Sequence, residues 1–164
     1  MEFKILESNG VENENVDGAA LNNAMAGGKD GILKGVLNEC EVFLSNNTSI
    51  SVDTGVMMIQ GFRIKITTPY SKSFSAAPSA PTDYQLVAKI VLLSTRAVSF
   101  ELICRLKQDL VKEGLFQAES GTYEAEIATF THAISGEITD LKLTMGFVSS
   151  GAKIPEYKGD VTIE

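Results

Sequence analysis

Hydrophobic and polar residues alternate with a period of two through most of the chain after residue 31. Phe62, Ile64 and Ile66 alternate with polar residues, which is the pattern of a strand with one buried face. The segments 56–59 and 84–93 have apolar residues on both faces, so we predict strands that are covered on both sides. Similar alternation recurs in residues 40–45, 50–52, 100–107, 122–130 and 138–147.

Turn-forming residues separate these segments at intervals of about ten residues, which is typical of antiparallel sandwiches and barrels. Residues 46–47, 53–55 and 135–136 predict turns, and Gly61 predicts a bulge or bend inside an apolar strand. Residues 69–82 hold three of the four prolines and predict a long loop. The pattern therefore predicts a mainly-β fold, either an antiparallel β-sandwich or a partly closed barrel.

One short helix is predicted at residues 17–26, where alanine and leucine favour helical structure. Asn15 or Asp17 is suited to cap its start, and Gly27 with Gly28 is suited to end it. We divide the chain into an acidic N-terminal segment with this helix (1–31), a β domain (32–148) and a C-terminal tail (149–164). A further short strand is predicted at residues 2–6, and a short helical turn at residues 108–114.

The charge of the chain is concentrated near its start. The net charge of the 164 residues is −7, and residues 1–53 carry nine acids against three lysines. All eight asparagines also lie in the first 47 residues. No basic patch is present, so we do not expect nucleic-acid binding. The start lacks the apolar run of a signal peptide, and no apolar stretch is long enough for a bilayer. We therefore expect synthesis in the cytoplasm and no membrane insertion.

Few residues suit catalysis. His132 follows an apolar strand and is interpreted as a surface residue at a strand end. Glu124 and Glu126 are two residues apart on a predicted strand, as one arrangement of paired glycosidase carboxylates would require. Their side chains lie on the opposite face of the strand from those of Tyr123 and Ile127, so we place both glutamates on the solvent side. We expect no enzymatic activity and no cofactor.

The sequence also gives little indication of a metal site or of a disulfide bond. Cys40 and Cys104 lie far apart in alternating apolar segments, which predicts buried free thiols. A bridge between them would require their strands to be neighbours. Glu12, Glu14 and Asp17 belong to an acidic cluster that lacks the glycine and final glutamate of an EF-hand loop. We interpret this cluster as a solvated acidic surface without a metal.

Three aromatic residues lie at or beside the proline-rich loop, namely Tyr70, Phe74 and Tyr84. Exposed rings would suit sugar binding, whereas buried rings would anchor the loop to the core, and we favour the second interpretation. Tyr70 and Phe74 nevertheless remain candidates for contact with a receptor, beside the acidic Glu12, Glu14 and Asp17 as candidates for contact with a partner protein.

The order of short motifs resembles that of phage baseplate and tail-fibre proteins, in particular their N-terminal attachment domains. A short helix and an Asp-Gly turn come first, at residues 17–31. Residues 50–62 (ISVDTGVMMIQGF) then resemble a Val-x-x-Gly strand-and-turn pattern of those proteins. The apolar strand at 84–93 is similar to a long strand in the family. Residues 123–130, followed by GEITDL at 136–141, resemble a segment near the domain end. The likeness covers roughly residues 15–145.

This resemblance implies a non-enzymatic structural protein of a phage or prophage virion, located in the tail tip or baseplate. It implies self-association, with a trimer or hexamer favoured, and docking to other tail or baseplate proteins. The alternative is a carbohydrate-binding β-sandwich that recognises host cell-wall glycans. A small esterase or glycosidase using His132 or Glu124 is the least favoured hypothesis.

Overall fold

The computed structural model describes residues 14–25, 27–95, 97–115 and 120–148. Within them lie one helix and eleven strands. The bounds are α1 Glu14–Met25, β1 Gly31–Leu33, β2 Val42–Asn46, β3 Ser49–Val52, β4 Gly55–Ile59, β5 Phe62–Ile66, β6 Tyr70–Ser73, β7 Thr82–Leu92, β8 Val98–Leu106, β9 Gly121–His132, β10 Ile138–Leu143 and β11 Phe147–Val148. No helix among the described residues has the length and apolar character needed to cross a membrane. The predicted strand at 2–6, the tail 149–164 and Glu12 fall outside the described residues.

The strands form three sheets, which we number by their first strand. Sheet 1 has the order β11-β1-β4-β5, sheet 2 the order β2-β3-β6, and sheet 3 the order β10-β9-β7-β8. Neighbouring strands are antiparallel except β1 and β11, which are parallel. The predicted mainly-β fold is confirmed, and the arrangement is consistent with a β-sandwich.

A continuous hydrophobic core receives side chains from all three sheets. Its fully buried members include Ile50, Val52, Met57, Ile59, Leu86, Ile90 and Ile127. Asp30 connects two of the sheets, because its carboxylate accepts hydrogen bonds from Gln60 N–H (2.8 Å) in the β4–β5 turn and from the Tyr123 hydroxyl (2.7 Å) in β9. Burial and this carboxylate raise the pKa of the Tyr123 hydroxyl, which therefore stays a hydrogen-bond donor.

Helix α1 begins three residues before its predicted start, so Asn15 and Asp17 lie in its first turn. Its end is as predicted, because Gly27 and Gly28 adopt positive φ angles of 67° and 75°. The N–H groups of these glycines donate to the carbonyls of Ala24 (3.1 Å) and Asn23 (2.8 Å). Both glycines thus satisfy carbonyls that the end of the helix would leave unpaired.

The helix docks on the turn between β4 and β5. Ala19 is 2% exposed and belongs to the hydrophobic core, and Asn22 Nδ2 donates to the Gly61 carbonyl at 3.1 Å. Gly61 itself was expected to bend a single strand. It forms instead, with Gln60, a two-residue hairpin turn in which both φ angles are positive (78° and 52°) and Ile59 pairs with Phe62. The predicted domain boundary at residue 31 stays a prediction.

The proline-rich segment is shorter as a loop than predicted. β6 lies inside it and pairs with β3 over four residues, from Val52 opposite Tyr70 to Ser49 opposite Ser73. The side chains of Ser49 and Ser73 are hydrogen-bonded at 2.7 Å. Its sequence, YSKS, has two serines and one lysine in four residues, so β6 shows no hydrophobic alternation and the pattern did not reveal it. The remaining loop spans residues 74–81.

A β-bulge in β9 reverses the expected face of its second half. Leu86 pairs with Ala128 and the next residue, Val87, pairs with Glu126, so Ile127 is an extra residue in β9. Residues after Ile127 therefore change face relative to strict period two. His132 consequently points into the core and is 3% exposed. Its prediction as a surface residue beyond a strand end was wrong, because β9 continues to His132 and the bulge turns this side chain inward.

Substitution of Gly61 tests the docking of α1. A Cβ at this position would collide with the backbone carbonyl of Ala19, whereas a Cβ at Gly35, which also has a positive φ (81°), meets nothing within 4 Å. We expect Gly35→Ala to cost about 1–2 kcal/mol from backbone conformation alone. Gly61→Ala should cost at least about 1 kcal/mol more, measured by urea unfolding. Equal losses for the two variants would contradict this packing of helix on turn.

Candidate assembly interface

Sheet 3 requires the chain to cross from one of its sides to the other. β7 lies between β8 and β9, so the chain leaving β8 must pass over β7 to reach the far side of β9. The first part of this connection, residues 107–115, is named here the crossover segment. Lys107 N–H donates to the Asp83 carbonyl of β7 (3.1 Å), and Glu113 N–H donates to the Thr122 carbonyl of β9 (3.1 Å). The predicted helical turn at 108–114 is replaced by this extended, bridging path.

A buried ion pair lies beneath the crossover segment. Arg105 of β8 donates from Nη2 to Glu124 Oε1 (2.8 Å) and from Nη1 to Glu124 Oε2 (2.9 Å). Glu124 Oε1 also accepts the Val111 N–H at 2.9 Å. Glu124 is only 3% exposed, so its predicted position on the solvent side was wrong. It does point away from Tyr123, as the alternation predicted, but the crossover segment covers that face.

The pKa of the Glu124 carboxyl is lowered from its ordinary value. Hydrogen bonds from Arg105 are the main cause; the Val111 N–H and the charges of Arg105 and Lys89 add to them, while burial acts in the opposite direction. The same contact raises the pKa of Arg105. Both groups therefore stay charged, and their double hydrogen bond fixes the side chain of β8 to that of β9 across β7.

Gln85 of β7 completes this polar network. It is 1% exposed, accepts hydrogen bonds from Arg105 Nε (2.9 Å) and Gln108 N–H (3.3 Å), and donates from Nε2 to Glu126 Oε2 at 2.8 Å. Glu124 and Glu126 are thus each held by different partners in a bonded network. Together these contacts stabilise the crossover segment.

The candidate aromatic residues pack into the sandwich. The Phe74 ring centroid lies 5.0 Å from that of Tyr84, 5.8 Å from that of Phe130 and 4.7 Å from that of His132. Tyr70 is half-buried and also packs against the core. These rings hold β6 and the following loop against sheet 3, which is the arrangement favoured from the sequence. Contact of Tyr70 or Phe74 with a receptor, and recognition of a glycan, stay predictions.

The acidic candidates lie near the helix start. Glu14 and Asp17 are in the first turn of α1, and Glu12 lies outside the described residues. Among the described residues, no group of three or more His, Cys, Asp or Glu side chains is placed to hold a metal ion.

Cys40 and Cys104 are free thiols, as predicted. Cys40 lies in the turn before β2 with a positive φ of 48°, which differs from its predicted place in a strand, and Cys104 of β8 is half-buried. Burial raises the pKa of each thiol to about 11, with Asp53 adding to the shift at Cys40 and Lys72 opposing it at Cys104. Both cysteines are therefore protonated and weakly nucleophilic near neutral pH.

Six strands lie at sheet edges in the described part of the chain, and five of them have features that discourage pairing with another strand. β11 has two residues and β6 has four, including exposed Lys72. β5 presents exposed Arg63 and Lys65. The pairing of β2 with its neighbour shifts register, and so does that of β10, where Asp140 has a positive φ of 54°.

β8 is neither short nor irregular, and its only fully exposed charged side chain is Glu101. Its nine residues (VSFELICRL) pair with β7 without any register shift, from Leu106 opposite Tyr84 to Val98 opposite Leu92. The strand contains no lysine and no proline. No other strand of the described chain pairs with its second edge. β8 is therefore a long, regular strand whose unpaired backbone groups suit addition of another strand.

Comparison with known proteins gives little further constraint. No family model matches the sequence, and no curated protein matches it significantly. Among solved structures, the gene 22 product of the Bacillus subtilis phage SPP1 is similar, with a TM-score of 0.37 and 15% identity over 71% of this chain and 85% of that chain. A similarity of this size carries no argument about function.

The buried carboxylate makes stability depend on acid pH. A group whose pKa is lowered by folding stabilises the protein above its unfolded pKa, which is about 4.3 for glutamate. That stabilisation is lost as the pH falls through the lower, folded pKa. We expect Glu124→Gln to reduce the free energy of unfolding at pH 7 by about 1–3 kcal/mol. The free energy of unfolding of this variant should also decrease less between pH 7 and acid pH than that of the unaltered protein.

Urea unfolding measured from pH 7 to about pH 3 checks this expectation. Glu41→Gln is the matched control, because Glu41 is an exposed glutamate just before β2, outside the network and outside β8, and should change neither the stability nor its pH profile. A Glu124→Gln variant with the stability and acid dependence of the unaltered protein would refute a structural role for the ion pair.

The aromatic cluster predicts a second stability effect. Phe74→Ala removes a ring that contacts three others, and we expect a loss of about 2–4 kcal/mol in the free energy of unfolding. Phe147→Ala removes the same ring from a position that is 53% exposed, and should cost about 1 kcal/mol or less. Thermal or urea unfolding of the two variants compares them directly. A neutral Phe74→Ala would point to a surface role for this ring.

Proposed function

We propose that this protein is a non-enzymatic structural component of a phage or prophage virion, assembling as a homo-oligomer in the tail tip or baseplate. The observation that carries the proposal is the unprotected edge of β8. Soluble monomers usually blunt such edges, because an exposed regular strand pairs with other chains. Five of the six described edge strands follow that rule. The exception is β8, which with nine residues is the longest of the six.

The resemblance of residues 15–145 to baseplate and tail-fibre proteins supports a place in the phage tail tip or baseplate. Those proteins act by assembly, and a trimer or hexamer is accordingly the favoured state of this chain. The buried Glu124 and His132 also have structural partners: Glu124 binds Arg105, and His132 packs on Phe74 with Nε2 3.1 Å from the Gly136 carbonyl. These contacts support a structural rather than a catalytic use of the residues that enzyme hypotheses would require.

The acidic N-terminal segment is the proposed docking surface for another tail or baseplate protein. Glu12, Glu14 and Asp17 belong to a region with a large excess of acids over lysines, so a basic partner surface would be complementary. Such a contact between opposite charges would weaken as the salt concentration rises. The protein would be made in the host cytoplasm and become part of the virion.

Light scattering coupled to size-exclusion chromatography tests self-assembly. We expect a particle of three or six times the 17.6 kDa chain mass, because edge pairing and interlocking loops favour closed symmetric assemblies. The measurement is repeated at low and at high salt. Association through exposed charges would weaken at high salt, whereas strand pairing at the sheet edge should persist. A strictly monomeric protein across a wide concentration range would refute the proposal.

A further inference from the structure

We propose that β8 pairs antiparallel with β8 of a second copy of this chain, about a two-fold axis at Ile103. Two copies of sheet 3 would then join edge to edge into one sheet of eight strands. This inference rests on the proposed self-assembly and names the surface that performs it.

The first argument is that the two edges are matched in length and shape. A two-fold contact places the same surface on both sides, so β8 meets a strand of equal length with the same unpaired donors and acceptors. The register of β8 on β7 is regular over all nine residues, so its second edge presents donors and acceptors that no bulge interrupts. A bulged partner strand would lose hydrogen bonds along this edge.

The second argument is charge complementarity between two residues that both belong to β8. With the axis at Ile103, Glu101 lies opposite the partner's Arg105, and by symmetry the pair occurs twice. Both side chains lie on the outer face of sheet 3, because they are four residues apart on one strand. Glu101 is exposed, and the Arg105 side chain is 17% exposed although it binds Glu124. Opposite charges facing each other across strands stabilise the pairing.

The core-side residues fit the same register. Phe100 would lie opposite the partner's Leu106, which is 55% exposed in the single chain, and Leu102 would lie opposite the partner's Cys104. Dimer formation would therefore remove apolar surface from water on one face while pairing charges on the other. An axis at Leu102 instead would place Glu101 opposite an isoleucine and Arg105 opposite a serine, so the charges would not pair.

A two-fold axis restricts the number of copies. A closed trimer has no two-fold axis, whereas a hexamer built from three pairs contains one. The β8 contact thus favours the hexamer, or a free dimer, over the trimer.

Disulfide trapping tests the register. In a Cys104→Ala background, Ile103→Cys places the two introduced cysteines opposite each other on the axis, with Cβ atoms about 4.5–5.5 Å apart. We expect a disulfide-linked dimer in most of the oxidised protein on a non-reducing gel. Ser99→Cys is the matched control on the same strand and face, and its two copies would be about 27 Å apart. Cys40 is 1% exposed and common to all variants.

A charge reversal tests the complementarity. Glu101→Lys would place like charges opposite each other twice, and we expect the dissociation constant of the two-fold contact to rise about tenfold or more. Lys65→Glu reverses an exposed charge on the edge strand β5 and should leave assembly unchanged. Glu101→Gln gives a milder variant, and unfolding curves confirm that each variant is folded.

The outcomes separate this inference from the proposed function. Trapping at 103 but not at 99, together with weaker assembly of Glu101→Lys, supports the β8 contact. An oligomer that traps no dimer at 103 and is insensitive to Glu101→Lys overturns the β8 contact while self-assembly stands. Trapping with Leu102→Cys but not with Ile103→Cys overturns the register. A monomeric protein overturns both proposals.

Discussion

The ion pair between Arg105 and Glu124 is the interaction on which the topology of sheet 3 depends. Because β7 separates β8 from β9, the crossover segment has to pass over the outer face of the sheet. That face would otherwise be hydrated, and covering it leaves backbone and side-chain polar groups that need partners. Glu124 supplies an acceptor for Val111 N–H, and Gln85 supplies one for Gln108 N–H. Arg105 compensates the charge of the buried carboxylate, so these groups together stabilise the crossover.

The same crossover accounts for the exposed edge that we connect with function. Residues 111–113 and β10 together cover the outer edge of β9, each along one half of it. The chain leaves β8 in order to reach that edge, and no described strand returns to β8. A hairpin path, in which β9 followed β8 as its direct neighbour, would have paired the β8 edge within the chain. The unpaired edge of β8 is thus a consequence of the strand order in sheet 3.

Individual residues show how far prediction from the sequence could reach. The alternation in β5, the central position of β7 and the glycine end of α1 were all predicted, because each depends on contacts or backbone preferences within a few residues. His132 was predicted to lie at the surface beyond a strand end, but β9 continues to this residue and the extra residue Ile127 turns it toward the core. Glu124 was assigned to the correct face, but the segment that buries it comes from a different part of the chain. β6 was missed because its polar sequence is a strand only by pairing with β3.

The sequence by itself determined the mainly-β class, the short helix with its glycine end, the spacing of the strands and the acidic character of the N-terminal segment. These properties follow from side-chain periodicity, local conformational preference and charge, which act over short distances along the chain. Only the tertiary structure decided which strands are neighbours, which polar residues are buried and which edge stays unpaired. Those outcomes depend on contacts between residues far apart in sequence, such as Arg105 with Glu124 or Ala19 with Gly61, and no local pattern records them.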